Sequence, residues 1–297
     1  MEKINLETNS LVNNLSETIT TPRKKDDFYI LAELGEGSYS TVYLASEKTS
    51  SNKFAIKVCS KRKIQREKKV HQIFRERDIL RLLSTPEHSH PFITRLYCTF
   101  QDSDCLYFVL TLAEKKDLLA RLKASGGCLD LEKTRFVMAE LCLALLHIHE
   151  LNVVHRDVKP EEPQQSPEER RRNKEKRRCS FVGTAQYVSP EMLNGEPSTP
   201  ACDWWSFGII LFELLSGQRP FNGETEFLLF QQILKLNYKF PSNFPSEEAK
   251  YLIEQILILN KNKRINGLKI KENEFFKEIN WEILTKFKSP LFDVNED

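Results

Sequence analysis

The sequence predicts an α+β protein of two lobes, a small sheet with one helix followed by a larger helical lobe, and two patterns carry that prediction. From Phe28 to about Phe108 the chain passes through short β-rich runs, whereas after Asp117 its apolar residues recur at helical spacing over long stretches. Its 297 residues suffice for one large domain or two lobes, and 40% apolar with 29% charged residues is an ordinary globular balance.

Residues 1–26 are rich in Asn, Thr, Ser, Glu and Lys and hold few large apolar groups, so a disordered tail is expected there. Strands are expected at Phe28 to Leu34, Thr41 to Ala45, Phe54 to Cys59, Phe92 to Phe100 and Leu106 to Leu112, with a charged amphipathic helix at Glu67 to Leu83. A hinge near Leu110 to Asp117 leads into helices at Leu131 to His149, Trp204 to Leu215, Phe227 to Leu236 and Ala249 to Leu259. The folded unit is therefore drawn over 27–292, divided into 27–112 and 113–292, with a short tail at 293–297. Lys159 to Ser180 contains no Ile, Leu, Val, Phe, Tyr, Trp or Met, and an unstructured loop of that length inside a compact domain is usually functional or disordered.

Composition excludes several classes. Forty-four basic against forty-two acidic residues leave +2, too little for a protein that coats nucleic acid or membrane. Seven cysteines lie far apart without a C-x-x-C pair, which suggests neither a disulfide framework nor a zinc site, so no metal is assigned from cysteines. The start carries no basic flank leading into an apolar run, and the apolar stretch around Phe207 to Leu215 is broken by Glu213 and too short to span a bilayer. A soluble, cytoplasmic protein is expected.

Chemistry enters with Leu34-Gly-Glu-Gly-Ser-Tyr-Ser-Thr-Val42, a glycine-bearing turn between two strand-like runs, where missing Cβ atoms let backbone N–H groups approach phosphates. Alone such a pair is more often a plain turn. Phe54-Ala-Ile-Lys57 then ends an apolar run, and the charged helix carries Glu76; a glycine loop, a strand lysine and a helix glutamate in this order form a phosphate-holding arrangement. His155-Arg-Asp-Val-Lys-Pro160 follows the long apolar helix directly, and Ser189-Pro-Glu191, Asp203-Trp-Trp-Ser-Phe-Gly208, Gly217-Gln-Arg-Pro-Phe221 and Arg264 come after it in turn.

With these motifs the chain resembles the eukaryotic protein kinases over about Phe28 to Phe292. Ser180-Phe-Val-Gly-Thr-Ala-Gln-Tyr-Val-Ser-Pro-Glu191, Arg75-Glu-Arg-Asp78 and Leu96-Tyr-Cys-Thr-Phe-Gln-Asp102 make it most similar to the 3-phosphoinositide-dependent kinases of the AGC group. The resemblance implies the bilobal α+β kinase fold, a five-stranded antiparallel sheet and helix above a helical lobe, with ATP and Mg²⁺ as cofactors. It implies Asp157 as acceptor of the substrate hydroxyl proton, Lys159 at the γ-phosphate, and Lys57 paired with Glu76 at the α/β-phosphates. Leu34, Gly35, Gly37, Val42 and Ala55 would roof the nucleotide, Leu110, Thr111 and Ala113 would form the gatekeeper and hinge, and Asp117 would lie near the ribose. Ser180 resembles an activation-loop phosphosite bridging Arg156 and Arg75. Lys61, Arg77, Thr99 and Gln101 around Leu106 map onto the family's docking pocket for the phosphorylated hydrophobic motif of its partners, other AGC-type kinases. Glu191 is placed to pair with Arg264. The family's lipid-binding C-terminal domain has no room before Asp297, so membrane recruitment by that route is not expected.

The pattern fails in one place. The family follows H-R-D-x-K-P-E with an asparagine, two short strands and D-F-G, and the asparagine and that aspartate hold the Mg²⁺ ions. Here Glu162 stands in the asparagine's place and no Asp occurs between Asp157 and Asp203. One contiguous block missing from the sequence of an active kinase is the favoured explanation, because the motifs on either side are intact; a catalytically dead binding protein is the other. The run Arg170 to Arg178 is read as a solvated loop interrupted by Glu175, with a nucleic-acid or nuclear-localisation patch as the alternative.

Overall fold

The structure is a computed structural model that describes residues 23–37, 39–114, 117–160 and 184–286. The expected C-terminal tail, Ser180 and Glu162 lie outside the described residues. β1 (Phe28–Glu36), β2 (Ser40–Glu47), β3 (Lys53–Ser60), β4 (Leu96–Gln101) and β5 (Cys105–Thr111) form one antiparallel sheet in the order β1-β2-β3-β5-β4. Period-2 alternation gives the sheet two faces. One buries Phe28, Phe54, Ile56, Tyr107 and Val109, and the other buries Cys59 and Phe108 against Ile64 and Ile73 from the adjoining helices. Arg23, within the stretch expected to be a tail, rests on this sheet, its guanidinium 3.0 Å from buried Glu47 and 3.2 Å from the Tyr97 hydroxyl.

The helix expected at Glu67 to Leu83 is α2 (Val70–Leu82), and it is preceded by a short helix that was not expected, α1 (Lys61–Arg66). Ser60 caps α1 by accepting from the Lys63 amide, and the break falls at Lys68, whose φ of 53° is left-handed and cannot continue a helix. The strand expected from Phe92 begins only at Leu96; the preceding residues turn, and Arg95 N–H donates to Thr111 Oγ1 at 3.0 Å.

Beyond the sheet come α3 (Leu118–Ala124), α4 (Leu131–Glu150), α5 (Pro190–Leu193), α6 (Pro200–Ser216), α7 (Glu226–Leu234), α8 (Glu247–Ile256) and α9 (Gly267–Lys271). Side-chain caps from Asp117, Asp130, Thr225, Ser246 and Asn266 satisfy first-turn amides of α3, α4, α7, α8 and α9. Helix α6 is apolar nearly all round and sits in the middle of the large core, packed by Met138, Cys142 and Leu145 of α4 and by Leu252, Ile253 and Ile256 of α8. Gly208 admits that contact, since a Cβ there would lie 2.5 Å from Ile256 Cγ2. The helix stops at Gly217, left-handed at φ 73°. Among the described residues no helix is long and apolar enough to cross a membrane.

Candidate active site

Lys57 stands on β3 and Glu76 on α2, and their side chains meet at 2.5 Å between Nζ and Oε1. Burial alone would lower the lysine's pKa, but the charge and hydrogen bond of Glu76 outweigh it and the net direction is upward, so the ammonium form is held. Val42 pairs in register with Lys57, and Ala55 with Leu44 and Leu110, so Val42, Ala55 and Lys57 share neighbouring rungs of the ladder. Leu34 and Thr111 lie in β1 and β5 as expected, Gly35 is still in β1 and pairs with Val42 where a turn was expected, and Ala113 follows β5. Asp117 has a local task the sequence did not disclose: its Oδ1 accepts from the Ala120 amide at 2.6 Å and caps α3.

At the glycine turn, Gly37 N–H donates to the Ser40 carbonyl at 2.7 Å. Tyr39 turns inward, its carbonyl accepting from the Ser60 amide at 3.0 Å and its ring packing against the cluster of Cys59, Ile64, Ile73 and Phe108. Burial pushes the Tyr39 phenol upward. Sequence reasoning missed this residue; its one signal is an aromatic at the tip of an otherwise polar turn.

Asp157 and Lys159 form the second half of the site. Asp157 is exposed, and Lys159 Nζ lies 3.0 and 3.3 Å from its two carboxylate oxygens. The loop that presents them is anchored from beneath by Asp203 at the start of α6. Asp203 is fully buried and accepts from His149 Nε2 at 2.8 Å, the His155 amide at 2.9 Å and the Arg156 amide at 2.7 Å. Burial opposes its ionisation, yet these donors more than compensate and hold it below the usual carboxylate range. Arg156 is left-handed at φ 70°, a conformation costly for a non-glycine residue and sustained by that anchor.

The segment after the polar tract is fixed by two further groups. Glu191 on α5 and Arg264 form a bidentate buried pair at 2.7 and 3.0 Å, the pairing expected from the sequence. Tyr187 donates to Glu213 Oε2 at 2.6 Å, Arg219 Nε donates to Glu213 Oε1 at 3.0 Å, and Arg219 also donates to Gln186. This network was not anticipated: Gln186, Tyr187 and Arg219 fall within two separate quoted motifs, and nothing in either says that their side chains meet around Glu213.

Of the residues assigned to a docking pocket, Thr99, Gln101 and Leu106 lie on the paired strands β4 and β5. Gln101 pairs with Leu106, Leu106 with Cys59, and Thr99 with Phe108, so they lie on the face covered by α1 and α2. Lys61 opens α1 and reaches the Asp102 carbonyl at 2.6 Å, while Arg77 lies over Phe74 at 4.9 Å and pairs with Asp78 at 2.8 Å.

A protein kinase is the class that this sheet, this ion pair and this anchored loop define, and the protein kinase domain family matches residues 28–162 and 168–276. The chain belongs to that family. Within it the chain is an AGC-type kinase similar to mouse 3-phosphoinositide-dependent protein kinase 1, with 39% identity over 308 residues that take in 95% of this chain and 53% of the mouse protein. Human putative 3-phosphoinositide-dependent protein kinase 2 is 39% identical over 294 residues, 91% of this chain and 72% of its own length. Budding-yeast serine/threonine-protein kinase PKH2 is 35% identical over 277, covering 86% and 25% respectively. The chain thus spans about half the length of the mouse relative.

Family membership implies an adenine nucleotide and Mg²⁺, and the two fit differently. The Lys57–Glu76 pair suits a nucleotide's phosphates. The donor set among the described residues does not suit Mg²⁺, which takes oxygen ligands in near-octahedral geometry from one or two carboxylates beside the phosphates. Every carboxylate described at the site already has a partner, and no group of three His, Cys, Asp or Glu able to hold a metal occurs among the described residues. The family match is itself interrupted at residues 163–167, next to the place where the asparagine and D-F-G aspartate are missing.

Proposed function

We propose that this fold serves to pass the γ-phosphoryl of ATP to Ser or Thr of AGC-type kinases, and that the sequence in hand lacks one contiguous block of the machinery. The observation that carries the nucleotide part is the 2.5 Å Lys57–Glu76 pair on the same sheet as the Val42 and Ala55 roof. In this reading Lys57 grips the α/β-phosphates, Asp157 accepts the proton of the attacking hydroxyl, and Lys159 steadies the γ-phosphoryl. Leu34, Gly35 and Gly37 cover the phosphates, Leu110, Thr111 and Ala113 border the adenine, and Asp117 stands by the ribose. A phosphate on Ser180 orders the polar tract against Arg156 and Arg75. Partner kinases dock their hydrophobic motif over Leu106, between Lys61, Arg77, Thr99 and Gln101; the shared sheet face of Gln101 and Leu106 supports this. The reading places the protein in the cytoplasm.

The length of the relatives supports the missing block. The 308 aligned positions with the mouse protein take in 95% of 297 residues, which leaves about 26 positions that this chain does not fill. A second reading, a kinase-shaped binding protein without transfer, is favoured by the absent metal carboxylates. Two measurements separate them. Intact mass of the protein from its native source is expected to exceed that of the 297-residue chain by a block of about that size; a matching mass removes the missing-block reading. The longer form is expected to phosphorylate a Ser/Thr acceptor peptide faster when a phosphorylated hydrophobic motif is attached, and equal rates would remove the docking assignment.

A further inference from the structure

We infer that the outer face of α1 and α2 is a docking surface for an anionic phospholipid bilayer, held by charge without recognition of one headgroup. The small net charge of the chain hides this face. Residues 61–81 carry nine Lys and Arg against three Asp and Glu, a surplus of six where the whole chain has a surplus of two, so the rest of the chain is net acidic. The three acids are matched singly: Glu67 by Arg66 at 3.4 Å, Asp78 by Arg77 at 2.8 Å, and Glu76 by Lys57 of β3. Arg62, Lys63, Lys68, Lys69, Arg75 and Arg81 have no ion pair among the described residues, and all but the partly buried Lys69 are exposed. Lys61 and Arg77, proposed above for peptide docking, are not among these six.

The fold turns these cations outward. Ile64 of α1 and Ile73 of α2 are buried against the sheet, which leaves the opposite sides of both helices to water. Apolar groups stand among the charges: Val70 and Phe74, one turn apart on α2, are each 37% exposed. Basic side chains with aliphatic and aromatic neighbours at one level are what the surface of an anionic bilayer takes up. Nucleic acid is served less well. Val70 has no ring to stack on a base, and the Phe74 ring already carries the Arg77 guanidinium at 4.9 Å. The net-acidic remainder of the chain is repelled by the same bilayer, so the protein meets it with α1 and α2 foremost.

Co-sedimentation of the full chain with phosphatidylcholine vesicles, with and without about one-third phosphatidylserine, tests this at about 0.15 M salt. A partition coefficient at least about tenfold higher with phosphatidylserine is expected, since each basic group near such a surface contributes about fivefold. A smaller preference overturns the inference. Arg62→Gln, Lys63→Gln and Lys68→Gln together are expected to lower the partition by about tenfold or more, and a smaller loss by folded protein overturns it too. Where circular dichroism shows that variant unfolded, Lys69→Gln with Arg81→Gln carries the same expectation and the same threshold. A single-stranded oligonucleotide at equal concentration of negative charge is expected to leave the protein on the vesicles; displacement by it assigns the face to nucleic acid and overturns the inference.

Discussion

Replacing Arg264 with Met isolates the pair that holds α5 to the core. The guanidinium is fully buried and its partner carboxylate 2% exposed. It donates twice to Glu191, at 2.7 and 3.0 Å, and also to the Ala201 and Ile258 carbonyls at 2.6 and 2.8 Å, with its flat face 5.0 Å from the Trp205 ring. Methionine keeps much of the packing and none of the bonds, leaving a carboxylate and two carbonyls without their buried donor. Removing one partner of such a pair costs about 3–5 kcal/mol, which lowers the melting temperature by roughly 6–20 °C in a domain of this size. The double variant Glu191→Leu with Arg264→Met removes the stranded charge and is expected to recover at least half the loss. The pH dependence has a definite sign. Burial works to raise the Glu191 pKa, but Arg264 outweighs it and the net direction is down. The native pair's contribution is therefore present above the ordinary glutamate range and lost as pH falls through the depressed folded value. In Arg264→Met the lone carboxylate is raised instead, so the gap between variant and native protein narrows on acidification. Urea unfolding at pH 7.5 and at pH 5 measures both effects. A single-variant cost under about 1 kcal/mol, or a double variant no more stable than the single, would refute the reasoning.

Glu140, whose carboxyl burial pushes up to about 7, lies on α4 and prefers its protonated form when folded. Its effect on stability is absent below the ordinary glutamate pKa and grows unfavourable as pH rises from there to about 7, so Glu140→Gln is expected to stabilise by about 1 kcal/mol at pH 8, discounted for partial exposure, and by nothing at about pH 4; a neutral or destabilising result at pH 8 sinks it. Asp203→Asn puts an amide N–H₂ where the carboxylate met three donors, and is expected to cost about 2–4 kcal/mol in urea unfolding and to loosen the His155–Arg156 turn; unchanged hydrogen-exchange protection at those two amides would contradict the anchoring role.

Long elements were legible because periodicity accumulates over many residues. Helix α4 was expected at Leu131 to His149 and spans Leu131–Glu150. Helices α3, α5 and α9 run for two turns or less, too short for a 3.6-residue pattern to declare itself, and were not foreseen. Helix α1, six residues long, was likewise not foreseen; left-handed Lys68 separates it from α2, and Ile64 and Ile73 of the two helices pack into one cluster on the sheet. Phe92 to Arg95 carry strand-like residues, yet they lie outside the ladder, and the backbone N–H of Arg95 is satisfied by a threonine side chain instead of by a strand. The Lys57–Glu76 contact was legible from motif order alone, whereas the support of His155 and Arg156 by Asp203 was not. Its accepting groups and donors are 47 and 48 residues apart, and two of the donors are main-chain amides that no residue type reveals.

The supports around the Asp157 loop bear on the proposal that a block of the sequence is missing. Asp203, Arg264 and Glu191 are buried charges, and each is tolerable only because several donors or acceptors converge on it. Such arrangements are costly to keep where the position of Asp157 and of the segment after the polar tract has ceased to matter, since apolar residues of similar volume hold a core as well or better. All three lie after the interruption at residues 163–167, and Asp203 ties back across it to His149, His155 and Arg156, which suits the proposal of a local loss. A frame whose purpose had lapsed would be expected to erode at these buried charges, and instead each retains its partners. On the proposed reading, this frame holds Asp157 for an acceptor hydroxyl and Lys57 and Lys159 for a nucleotide's phosphates.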